Sequence, residues 1–262
     1  TGTMMIISFE DSAASPSTFQ AIAQIRSISN KNCFLAGMTA IVKDTKDIVE
    51  TEMPKYVLIA VLLSMAVLFL SLESTVVPLI FMLGIVFPIV YNFGSNVFLG
   101  QISYITQALA AVLQLGVTMD FSIFLLHRYN EECTKQPDRE SAMATAIVAT
   151  FNSITGSSLT TIAGFLALCT MSLKLGSDIG IVMAKGVLLG VISTLTILPS
   201  FLMTFDHAIG KYRHPVLIHE TKKIPQFIVD HHKGILVVFI LLLIPFSVAQ
   251  GKVSQYYALD QT

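Results

Sequence analysis

Charge is what this sequence has least of. Lysine, arginine, aspartate and glutamate make up 13% of its 262 residues, against about 25% in an ordinary soluble domain. Together with 53% hydrophobic residues and a mean hydropathy of +0.72, that shortage excludes an ordinary soluble globular protein. A formal net charge of -1 leaves no basic field of the kind nucleic acid requires. The three cysteines, Cys33, Cys133 and Cys169, fall in different segments and form neither a metal-binding nor a disulfide pattern. No phosphate-binding loop is present. His127, His231 and His232 have no metal-ligand partner at helical spacing. Nothing here points to an enzyme, a cofactor or a metal.

What is present is apolar residues gathered into runs, as membrane spans require. Residues 56–72 (YVLIAVLLSMAVLFLSL) and 76–93 (VVPLIFMLGIVFPIVYNF) are two spans joined by the tight link Glu73, Ser74, Thr75. Further spans are expected at 104–126, 154–173, 179–205 and 234–249. Between them, Asp138 after Pro137 is a plausible N-cap for an amphipathic interfacial helix near 138–150.

Ahead of the spans, TMMIISF (3–9) reads as a strand. TFQAIAQIRSI (18–28) then spaces Phe19, Ile22, Ile25 and Ile28 as an amphipathic helix does. CFLAGMTAIV (33–42) suggests a second strand and the start of another helix. The expectation is a β-α-β remnant over 1–53, too short to bury its own core. With both chain ends read as cut, a longer parent protein is expected.

Orientation follows from basic residues near span ends. The loops 127–152 and 206–233 carry Arg128, Lys135 and Arg139, then Lys211, Arg213, Lys222, Lys223 and Lys233; the links 94–103 and 174–178 carry only Lys174. The basic loops are therefore expected in the cytoplasm and residues 1–55 outside. Gly84, Gly116, Gly164, Gly186 and Gly190 inside the spans suit close packing of neighbouring helices or their flexing.

Between Lys55 and Arg128 there is no basic residue, and the only acids are Glu73 and Asp120. Asp120 lies eight residues before Arg128, about 12 Å along a helix, which puts it near mid-membrane. A charged aspartate at that depth costs about 2.5–3.5 kcal/mol on insertion scales. The neutral acid avoids most of this, and low dielectric favours it. Such a group can take a proton on one side and release it on the other; the bland alternative is a hydrogen bond to a neighbouring span. Lys185 is the only basic residue well inside a span and a candidate coupling or charge partner. Helix counting sets it roughly 15 Å from the depth of Asp120, so snorkelling outward or another acid such as Asp178 is expected ahead of a direct pair.

At these residues the chain resembles the MMPL-type exporters of the resistance-nodulation-division (RND) superfamily. The resemblance is carried by GVTMDFSIFLLHRYNEE (116–132), with Gly116 on the approach to the acid, and by TTIAGFLAL and SDIGIVMAKGVLLGVISTLTILPSFL within 160–202. It implies an all-α polytopic membrane bundle of RND type with a small α+β extracytoplasmic porter-domain remnant. The chain would then hold spans two to seven of a twelve-span protein built from two parallel repeats. Residues 1–53 would end the first outer domain and 54–205 would form a five-span bundle. Residues 206–233 would be a cytoplasmic linker, 234–249 the first span of the second repeat, and 250–262 the start of a second outer domain.

The implied function is proton-driven export of lipid-like or amphiphilic molecules, in a bacterial cytoplasmic membrane, with Asp120 as the relay. The proton gradient would take the place of a cofactor. Partners would be the bilayer, a lipid-like or drug-like substrate and the second repeat, which this chain lacks. Where the family carries a tyrosine after the aspartate, this chain has Phe121. Two other functions fit the same block: a sterol-sensing-like lipid sensor or regulator, and a proton-driven accessory of protein export.

Overall fold

The structure is a computed structural model that describes residues 3–29, 33–100, 102–215 and 223–252. It divides into two units, Thr1–Val216 and Leu217–Thr262. In the first unit Ser15 caps α1 (Pro16–Ile28), its hydroxyl accepting from Thr18 N at 3.2 Å. Pro16 sits in the first turn, where its missing N–H costs nothing. Phe19 and Ile22 are buried, as their spacing predicts, whereas Ile28 is exposed. The Arg26 guanidinium pairs with Asp44 and holds that carboxyl below the usual carboxylate range, tying α1 to α2.

Helix α2 (Met38–Ser71) has 34 residues, about 51 Å, so the helix start expected within 33–42 and the span expected at 56–72 belong to one continuous helix. No β-strand forms among the described residues, which corrects the expected strands of the N-terminal remnant. The run 3–9 is irregular, with Met4, Met5 and Ile6 more than 80% exposed. A strand is stable only with neighbours to complete its ladder, and among the described residues none pairs with this run.

The bundle follows. α3 (Val76–Gly94) continues into a 3₁₀ turn (Ser95–Leu99), then come α4 (Tyr104–Cys133), α5 (Arg139–Leu168), α6 (Lys174–Thr204) and the short α7 (Asp206–Lys211). α6 is the centre, packed against α3, α4 and α5. Its Val182, Met183 and Val187 are buried to 1% exposure or less, while Ile181, Leu188 and Ile192 form an exposed apolar side. One apolar cluster joins Leu68, Phe81, Leu125, Met143 and Leu202. A second joins Phe121, Ile154, Val187 and Val191.

Asp138 caps α5, its Oδ1 accepting from Ser141 N at 2.7 Å. The helix then runs without a break through the segments expected as an interfacial helix and as a span. Among the described residues five helices are long and apolar enough to cross a membrane: α2, α3 with its 3₁₀ extension, α4, α6 and α9 (His232–Gln250). The 30-residue α5 is not one of them, because Asn152, Ser153, Thr155, Ser157, Ser158, Thr160 and Thr161 dilute its apolar content. Several of these hydroxyls are satisfied within the helix: Ser158 donates to Thr155 O, and Thr160 and Thr161 both donate to Ser157 O.

The α2–α3 link is held by the segment after α7. His214 N donates to Glu73 O at 2.8 Å, Thr75 N to Tyr212 O at 3.2 Å, and Ser74 Oγ to Ile209 O at 3.2 Å. The second unit contains α8 (Lys223–Asp230) and α9. The expected second outer domain at 250–262 lies almost wholly outside the described residues, as does the 216–222 part of the expected linker.

Candidate functional site

Asp120 sits just past the middle of α4, whose apolar run is otherwise interrupted only by small or hydroxyl residues, Gln107 and Gln114 before the charged end begins. Two faces of this helix have different fates. Leu115, Thr118, Phe121, Ser122 and Leu125 are buried against the bundle. Asp120 points the other way and is exposed. It opens into a groove of about 690 Å³ between α4 and α5. On the α4 side the groove follows Asp120, Ile123, Phe124, His127, Arg128 and Glu131, the repeating three- and four-residue steps of one helix face. α5 contributes Ala149, Thr150, Ser153 and Ile154.

Phe121, one residue on, turns into the apolar cluster with Ile154, Val187 and Val191. It also borders a small cavity shared with Phe124, Ser153 and Ser157.

Lys185 does not pair with Asp120. Its Nζ donates to Asn96 Oδ1 at 2.6 Å and to the Asn92 carbonyl at 3.0 Å, a cation placed at the C-terminal end of α3, where the helix dipole favours it. The helix register explains the separation. Gln114 Nε2 donates to Gly186 O, 72 positions away, so Lys185 is level with Leu113. Asp120 is seven residues further along, about 10 Å. The charged residues at the far end of α4 pair among themselves: Arg128 meets Glu131 at 2.8 Å, and the buried Glu132 meets Arg128 at 3.0 Å and Lys135 at 3.2 Å.

The charge-free neighbours of Lys185 form a network that the sequence reading missed. Asn92 Nδ2, fully buried, donates to Gln114 Oε1 at 2.8 Å and to Val182 O at 3.2 Å. The signal was there: two amides, Asn92 and Gln114, each alone in an apolar run, where a buried polar group needs partners. Glycine lets the helices close on this network. A Cβ at Gly186 would stand 2.7 Å from Asn92 Nδ2, and one at Gly190 would stand 2.6 Å from Thr118 Oγ1. Gly116, expected to serve packing or flexing beside Asp120, meets nothing within 4 Å. Close approach of neighbouring atoms is seen at Gly186 and Gly190, and also at Gly180, where a Cβ would stand 2.5 Å from Phe165 O. Among the described residues no group of acids, histidines and cysteines could hold a metal ion.

An apolar helix carrying one aspartate, embedded in this five-helix arrangement, agrees with the match to the model of the MMPL family over residues 2–224. The chain belongs to the MMPL family. Among curated proteins, this MMPL chain is 28% identical over 201 residues to the membrane protein ActII-3 of Streptomyces coelicolor, covering 73% of this chain and 28% of that one. It is 30% identical over 146 residues to the membrane protein MJ1562 of Methanocaldococcus jannaschii, covering 56% of this chain and 37% of that one. It is 24% identical over 214 residues to the mycolic acid-containing lipids exporter MmpL11 of Mycolicibacterium smegmatis, covering 75% of this chain and 22% of that one. The chain thus spans between 22% and 37% of the length of these relatives. With its apolar helices, the MMPL assignment makes this a multi-pass membrane protein of the RND type.

Proposed function

We propose that this chain is the aspartate-bearing part of a proton-driven secondary transporter that exports lipid-like or amphiphilic molecules. The observation that carries the reading is Asp120, a solitary carboxyl deep in an apolar helix, open to a groove and free of any ion pair among the described residues. A fixed structural carboxylate would be expected to have a cation or a set of donors. A carboxyl that must exchange a proton is better left without them. An ionised group facing lipid is costly, so the face bearing Asp120 belongs against protein or water. The second repeat of the parent protein would cover it and supply the remaining relay partners.

In this reading residues 1–53 belong to an outer domain, 206–233 to a cytoplasmic linker, and the Arg128 end of α4 faces the cytoplasm. Lys185 acts through the end of α3, and Gly116 marks the side of α4 turned towards the second repeat. Support for a lipid-like cargo comes from a relative named as an exporter of mycolic acid-containing lipids.

The test compares the full-length parent with Asp120→Asn at matched membrane abundance. Everted vesicles loaded with the lipophilic dye Nile red, under an imposed pH gradient, should show gradient-driven transport that the variant loses by roughly a hundredfold, the scale of a lost proton-transfer group. Unchanged transport would remove the relay from Asp120. Wild-type protein with no gradient dependence would move the lipid-sensor reading ahead.

A further inference from the structure

The groove does not stop at Asp120. It runs along α4 to His127, Arg128 and Glu131, the end that the proposed orientation places in the cytoplasm. Asp120 and His127 are seven residues apart on one helix face, two turns and about 10 Å. That is too far for direct proton transfer, yet it is a short path for a chain of water. At about 30 Å³ per water molecule, a volume of about 690 Å³ has room for such a chain.

The walls carry oxygens to hold it. Thr150 spends its proton on Ala146 O at 2.8 Å and keeps lone pairs to accept one from water. Ser153, on the same wall, offers both a donor and an acceptor.

Among the groups lining the groove, only one suits proton exchange with neutral cytoplasm. Arg128 keeps its charge at any physiological pH and is engaged by Glu131 and Glu132. Glu131 is itself paired with Arg128 at 2.8 Å. α5 presents no titratable side chain to the groove. His127 is exposed and has no ion pair among the described residues. An imidazole is the ordinary side chain that gains and loses a proton between pH 5 and 8.

We infer that the α4/α5 groove is the cytoplasmic water route to Asp120, and that His127 at its mouth exchanges protons between cytoplasmic water and that route. The step is a simple transfer: the imidazole gives up a proton to the water chain, the chain delivers one to the Asp120 carboxylate, and the imidazole is reprotonated from cytoplasmic water, or the same steps in reverse. The inference rests on the relay reading of Asp120, and two measurements on the full-length parent separate the two.

The first is labelling of Ser153→Cys by a membrane-impermeant methanethiosulfonate, with the modified peptide identified by mass spectrometry. Modification from the cytoplasmic face only is expected. Modification from the opposite face only, or none from either, overturns the route. The second is Nile red transport under a pH gradient by His127→Gln, with and without added imidazole. A fall in maximal rate of about tenfold at unchanged apparent KM is expected, with free imidazole restoring most of the rate.

Restoration by a soluble buffer separates a proton carrier from a residue that merely holds the helix. A variant that is slow but deaf to imidazole therefore overturns the role of His127. If Asp120→Asn abolishes transport while His127→Gln matches wild type, the relay stands and this inference fails. If wild type shows no gradient dependence, the relay falls and takes the proton-carrying role of His127 with it; labelling alone then decides the water route.

Discussion

A carboxyl and an ammonium share this membrane bundle without meeting, and each residue is handled by a different device. Lys185 is bound to two neutral oxygens, one of them a carbonyl at the end of α3, so its charge is spread onto a helix terminus. Asp120 is given no partner among the described residues and is left facing a cavity. The amides between them serve structure: Gln114 satisfies one proton of Asn92 and reaches Gly186 with its own. Replacing Gln114 with leucine would leave the fully buried Asn92 amide with Val182 O as its one remaining acceptor, at a cost of about 1–3 kcal/mol. We expect Gln114→Leu to lower the thermal unfolding midpoint in detergent by several degrees. The doubly apolar Asn92→Leu, Gln114→Leu should recover part of that loss, since paired polar groups removed together leave no orphan.

Helices explain why some of the molecule was legible beforehand and some was not. Period and capping are local, so α1, the Glu73–Thr75 link and the Asp138 cap could be read directly from residue types and spacing. Strands depend on partners elsewhere in the chain, and the runs at 3–9 and at the start of 33–42 had the composition without a paired ladder among the described residues, while the helix start within 33–42 is there in α2. The helix break expected near residue 152 failed for a related reason. Polar residues that look like a boundary are absorbed when their hydroxyls bond back within the helix, as at Thr150 and Ser158. The location of Asp120 in α4 was visible in the sequence; which way it faces was not, because that depends on α5 and α6.

Two predictions belong to these elements. Gly186→Val should cost about 1–3 kcal/mol by overpacking, since even its Cβ would stand 2.7 Å from the Asn92 amide. Gly116→Ala, with nothing within 4 Å of the added Cβ, should raise the unfolding midpoint slightly, since alanine is favoured over glycine in a helix interior by about 1 kcal/mol. At the start of α5, the Ser141 backbone N–H holds the Asp138 carboxyl below its usual range. A group whose folded-state pKa is depressed stabilises above its unfolded value and loses that contribution as pH falls through the folded one. Stability measured from pH 6 to pH 3 should therefore fall more steeply in wild type than in Asp138→Asn, which can cap without titrating.

For the whole molecule, the decisive question is how many times this chain crosses the bilayer. Packed beside α4 and α6, α5 is long enough at 30 residues, yet too polar to qualify by composition. Cysteines placed at Lys135 and Thr170, beyond its two ends, should be modified by an impermeant reagent from opposite faces of the membrane. Modification from one face would mean that α5 returns without crossing. A further property follows from the hydrogen bonds that join residues 73–75 to the stretch 209–214. They act as a strain relief. Tension arriving along the chain from beyond residue 215 would load that clasp and the head of α3 before reaching the end of α6. The three bonds lie side by side across two short segments, so they resist together and would yield together, and the central helix is spared until they do.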